Sequence, residues 1–126
     1  MDFNIEVDFV KKYIKKDFQD RLIFELQSKK HRKRAIDRFS HFSQKILNNC
    51  FKFCNMLQIQ ELVCRRYDVK EKCYIISGDE NDGKILFLHD AVKSCQDSYT
   101  AMILISEKFV LVKEELEKTP IFYLSI

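Results

Sequence analysis

The spacing of apolar residues changes character at Lys72, and that change limits the folds open to the chain. Before it, apolar side chains recur every three or four residues, the period of a helix with one buried face. Phe9, Val10, Tyr13, Ile14, Phe18, Leu22 and Leu26 form one such series. Ala35, Ile36, Phe39, Phe42, Ile46 and Leu47 form another within the stretch Ser28–Leu47. After Lys72, short apolar runs with β-branched content alternate with polar breaks, which is the texture of strands. The runs are Cys73–Ser77, Tyr99–Ser106, Phe109–Lys113 and Ile121–Ile126. Helices first and strands last in 126 residues predict a single α+β domain over 1–126. Its N-terminal helices pack on one face of a mainly antiparallel sheet, which ends in a C-terminal β-meander.

Between these landmarks the reading is coarser. Residues 1–8 alternate weakly at Phe3, Ile5 and Val7, as a short strand or extended lead-in would. Residues 8–27 fit one helix or two, because Asp17 and Asp20 also suit a fresh helix start. Ser28 suits the N-cap of a helix running to about Leu47 and ended by Asn48-Asn49. Cys50–Cys54 alternates like a short strand or turn, and Leu57–Tyr67 reads as a third helix with Leu57, Glu61, Leu62 and Arg65 at helical spacing. The polar loop Gly78–Lys84 follows the first strand. Ile85–Leu88 extends or pairs, and His89–Ser98 reads as a short helix with Ala91, Val92 and Cys95 inward. Glu107-Lys108 joins two strands, and Thr119-Pro120 leads into the last.

Two glycines and one proline leave little room for a glycine-rich phosphate loop, which weakens nucleotide binding. No signal peptide is expected from residues 1–30, and no apolar run is long enough to span a bilayer. Five cysteines, an odd number without framework spacing, read as free thiols of a cytoplasmic protein with no membrane partner. His31, His41 and His89 are far apart, and Cys50 with Cys54 lacks a second ligand pair, so no metal site is expected. Asp79–Gly83 is similar to part of a calcium loop. Its glycine falls at the fifth position and Asp90 stands at the twelfth, so it reads as an acidic turn. Cys73 with His89, or Ser40 with His41, would pair a nucleophile with a base, but neither sits in a nucleophile motif. His31 and His41 fall on different faces of their helix. The expectation is a binding protein with no catalytic residues and no cofactor.

Charge is divided along the chain. Residues 1–49 hold 12 basic and 7 acidic groups, whereas residues 50–126 hold 10 basic and 12 acidic ones. Lys29, Lys30, Arg32, Lys33 and Arg34 open the central helix, where positive charge opposes the helix dipole. They suit an anionic partner, and nucleic acid is one class. Two features weigh against it. The phenylalanines of that helix fall on its buried stripe, and Asp37 stands three residues after Arg34, in place to neutralise it. Asp79, Glu80 and Asp82, with Glu114, Glu115 and Glu117, form the candidate acidic surface for a protein partner.

Two segments carry a resemblance. FVKKYIKKDFQDRLIFELQSKKHRKRAIDRFSHF (Phe9–Phe42) resembles the N-terminal part of a group of small bacterial proteins: a helix, a Ser-x-Lys-x-Arg-type basic stretch and a helix ending in His-Phe. CYIISGDENDGKILFLHDAV (Cys73–Val92) resembles the same group's strand, acidic loop with glycine, and short helix. The likeness runs from about Phe9 to the last strand and is loosest between Asn48 and Lys72. In size and pattern the group is similar to immunity proteins of contact-dependent inhibition systems, which neutralise toxins delivered by neighbouring cells. The resemblance implies a cognate protein toxin as partner, such as a nuclease, covered at its active site or substrate surface. The formal net charge of +3 departs from the acidic balance that a basic nuclease would favour.

Overall fold

The computed structural model describes residues 1–38, 46–114 and 122–126. Phe39, Ser40, His41 and Phe42 of the central stretch lie outside these residues, as do Glu115, Glu117 and Thr119-Pro120.

Residues 1–8 are not a strand. Asp2 accepts hydrogen bonds from the backbone N–H groups of Asn4 and Ile5 at 3.1 and 3.2 Å, and this N-cap starts helix α1 at Phe3–Tyr13. Glu6 is drawn inward by an ion pair with Arg32, so this segment buries Glu6, Phe9 and Val10 in place of the Phe3–Ile5–Val7 alternation. Ile14 leaves the helix in extended backbone, and the Gln19 side-chain amide donates to its carbonyl at 2.9 Å. Residues 8–27 therefore divide between α1 and a second helix, α2 at Lys16–Gln27.

Ser28 caps the C-terminus of α2 and is not the side-chain N-cap of the next helix. Its backbone carbonyl accepts from the N–H groups of His31 and Arg32, making a tight turn into α3 at Arg32–Asp37. Ile46 returns beside Ile14 in a single antiparallel bridge, and a 3₁₀ turn follows at Asn48–Cys50. Asn55 and Gln58 then form a reciprocal capping box at the start of α4, Met56–Ile59, which widens into a π-type turn over Gln60–Cys64. Here Ile59 and Val63 point inward and Leu57 is exposed, so the buried stripe is not the one marked by Leu57, Glu61, Leu62 and Arg65.

The six strands are β1 (Lys52–Cys54), β2 (Lys72–Ser77), β3 (Ile85–Phe87), β4 (Met102–Ile105), β5 (Val110–Lys113) and β6 (Phe122–Ser125). They form one sheet in the order β1-β6-β5-β4-β2-β3, antiparallel at every junction. The predicted meander is its β4-β5-β6 portion. Helix α5, Leu88–Asp97, follows β3 directly and buries Leu88, Ala91, Val92 and Cys95.

Alternation along the strands builds two cores. Tyr74, Ile76, Ile103, Val110, Val112 and Tyr123 meet Phe9, Val10, Ile14, Leu22, Leu26, Ala35 and Ile36, so the N-terminal helices cover one face as expected. Cys73, Ile75, Met102, Leu104, Leu111, Phe122 and Leu124 face the other way, where Ile59 and Val63 cover them together with α5. The uninterrupted apolar runs of β2 and β4 follow from this burial on both sides. Each fully buried Ile, Leu or Phe contributes about 1.5–3 kcal/mol through its loss of water contact.

Candidate functional site

The chain reaches Asp79 through a tight turn after β2. Gly83 sits at φ +79°, a conformation that glycine adopts freely, and its N–H donates to the Ile75 carbonyl at 2.7 Å. A side chain there would also press on Met1, whose Cγ lies 2.9 Å from an ideal Cβ. The turn returns the chain to β3 and leaves Asp79, Glu80 and Asn81 beside α5.

Asp79 organises that junction. Ser77 Oγ donates to its carboxylate at 2.6 Å, the Asn81 N–H at 2.9 Å and Ser98 Oγ at 3.0 Å. Burial pushes the carboxyl pKa up, but these three donors outweigh burial and hold it below the ordinary aspartate value. Asp79 is thus an ionised structural anchor tying the loop to the end of α5. The same end of α5 is held by Lys113 of β5. Its ammonium is buried and donates to the carbonyls of Cys95, at 2.8 Å, and Ser98. A cation is thereby placed where the helix dipole is negative.

Between loop and helix lies a groove of about 320 Å³. Asp79, Glu80, Asn81, Asp90, Lys93, Ser94, Asp97 and Ser98 line it. Glu80, Asp90 and Asp97 are exposed and set against the single cation Lys93. Glu80 was expected in an acidic surface; Asp90 and Asp97 were not, because they join it only when α5 folds back beside the loop. Glu114, also expected there, is half-buried after β5 and does not line the groove.

Asp82 and Arg32, which the sequence assigns to opposite charged surfaces, bind one another. Arg32 Nε donates to Asp82 Oδ2 at 2.8 Å and its Nη2 to Asp82 Oδ1 at 2.9 Å. The same guanidinium grips Glu6 through both terminal nitrogens, at 2.6 and 2.7 Å, and reaches the Leu26 carbonyl at 2.9 Å. Tyr74 Oη donates to Glu6 at 2.5 Å. Despite the cost of burial, the carboxylates of Asp82 and Glu6 raise the Arg32 pKa further and keep it charged. Arg32 is 6% exposed and Glu6 1%, so neither Arg32 nor its partner Glu6 meets solvent freely. Lys29, Lys30, Lys33 and Arg34 remain as the exposed part of the basic stretch.

Cys73 and His89 do not come together, and Ser40 with His41 lies outside the described residues. Cys73 and Cys95 are fully buried, and burial pushes each thiol up to about 12, so neither supplies a thiolate at neutral pH. His89 is exposed at the start of α5, away from the core that holds Cys73. Among the described residues no three His, Cys, Asp or Glu side chains converge to hold a metal ion. A second groove, of about 870 Å³, runs between α1 and the strand ends and is lined in part by Phe9, Tyr74, Ile105 and Val110. Its charges, Lys12, Lys72 and Lys108 with Asp8 and Glu107, are mixed in sign.

Comparison with family models, curated proteins and solved structures finds no match.

Proposed function

We propose that this chain is a non-catalytic binding protein that neutralises a protein toxin by covering a basic surface of it. The observation that carries the reading is the groove between the 78–84 loop and α5, where Glu80, Asp90 and Asp97 project from a rigid frame. Asp79 and Lys113 fix that frame from below, so binding costs little ordering of loop or helix. Carboxylates held this way speed encounter with a cationic surface and discourage acidic partners. A nuclease, whose substrate site is basic, is the toxin class that fits. The five cysteines are free thiols, in keeping with action in a reducing cytoplasm. No described helix is long and apolar enough to cross a membrane.

The test is co-expression with the toxin domain encoded directly upstream of the gene. The expected result is rescue of growth and a one-to-one complex whose association slows as salt is raised. Replacing Glu80, Asp90 and Asp97 by Lys should slow association at least tenfold while leaving the circular dichroism unchanged. Failure to protect, or a triple variant that protects and associates like the parent, would reject the reading.

A further inference from the structure

The basic turn is not absorbed by that function, and the fold changes what it offers. We infer that the α2–α3 turn is a binding surface for single-stranded nucleic acid, separate from the acidic groove. In sequence, the aromatic residues nearest the cations fall on the buried stripe of their own helix. In the fold, the aromatic comes from α2. Phe24 is 64% exposed, and its ring lies beside that of His31 with centroids 5.9 Å apart. Lys29, Lys30, Lys33 and Arg34 are exposed on the turn and helix that carry His31.

The second objection from sequence also lapses. Asp37 makes no ion pair with Arg34, and none of the four cations is in an ion pair among the described residues. Asp82 is taken up by Arg32, and Glu25 by Arg21 and Arg38, while Asp37 stays exposed at the edge of the cations. Asp17 and Asp20 lie back along α2 and bound the surface on that side.

A phosphate backbone matches four unpaired cations, and an exposed ring among them matches an unpaired base. Stacking on a ring is worth enough to register because every base has a π-face, whereas a duplex keeps its bases stacked on each other. A membrane surface fits less well. Interfacial docking needs an apolar helix face, and the outward neighbours of Phe24 are Asp20, Arg21 and Gln27.

Fluorescence anisotropy of the intact chain with labelled poly-U, its duplex counterpart and phosphatidylserine vesicles as competitor tests this. Four cations released from the strand predict a slope of about −3 in log affinity against log salt, or roughly a 50-fold loss between about 50 and 200 mM. Lys29, Lys30, Lys33 and Arg34 all changed to Gln should abolish binding. Phe24→Ala should weaken it roughly tenfold, and Phe24→Tyr should retain it, both with unchanged circular dichroism. No binding at low salt, equal affinity for duplex, an unaffected Phe24→Ala variant, or displacement by the vesicles would each overturn the inference.

Discussion

At the scale of single residues, Arg32 shows how far burial can reassign a charge. It stands among five cations in six positions, and four of them remain in water. The fifth leaves because Glu6 and Asp82 present two carboxylates at the distance that a planar guanidinium fills with paired hydrogen bonds. Removing it strands Glu6, which is 1% exposed, as a buried charge whose remaining donor is the Tyr74 hydroxyl. Arg32→Met is therefore expected to cost about 3–5 kcal/mol, read as a lowered urea midpoint. Adding Glu6→Gln to that variant should recover part of the loss, since the stranded charge is then gone. If the double variant is no more stable than Arg32→Met, the cost lies in packing and not in the unpaired carboxylate.

At the scale of elements, α5 depends on a residue from another part of the sheet. It has no side-chain N-cap and no basic residue in its last turn, yet its C-terminal carbonyls are occupied by Lys113. Lys113→Met keeps most of the apolar stem and removes the donor, leaving the Cys95 carbonyl buried without that partner. The expected loss is about 1–3 kcal/mol, with faster amide exchange over the last turn of α5 and the Asp79–Asn81 turn. Exchange that rises uniformly, with no excess at that end, would argue against a local cap. The π-type turn after α4 is a second element set by context. Neither the capping box Asn55–Gln58 nor the widening at Gln60–Cys64 that turns Val63 inward follows from the helical spacing read over Leu57–Tyr67.

For the whole molecule, the pH range of stability follows from groups whose ionisation folding alters. Asp79 has its carboxyl lowered on folding, so it adds stability above about pH 4 that is lost as the pH falls further. Cys54, Cys64, Cys73 and Cys95 are raised by burial. Their sign is opposite: the unfolded thiols ionise above about pH 9, the folded Cys73 and Cys95 only near about 12, so stability falls between these values. Tyr74, raised by burial and its bond to Glu6, steepens the fall above pH 10. Melting temperatures across the alkaline range should therefore decline in parent protein. A Cys73→Ala, Cys95→Ala variant should start lower through lost packing and decline less steeply. An identical slope would show that other groups carry the dependence.

What the sequence determined by itself is whatever is written in local periods and local chemistry. The change of spacing at Lys72, the β-branched runs and the inward set Ala91, Val92 and Cys95 decided the α+β class, the strands and the buried face of α5. They are legible because helix and strand sort side chains at fixed short intervals. Tertiary structure decided the partners across long separations. Glu6 meets Arg32 and Tyr74, Asp82 meets Arg32, and Ser98 meets Asp79 only when helices and strands far apart in the chain come together. The acidic groove and the basic turn were visible as charges, but which of those charges face water depends on the pairs that burial forces together. Desolvation makes an unpaired buried charge too costly, so the fold had to choose which ones to neutralise inside. It kept Arg32 with Asp82 and left Glu80, Asp90 and Asp97 on one surface, with Phe24 and four cations on another.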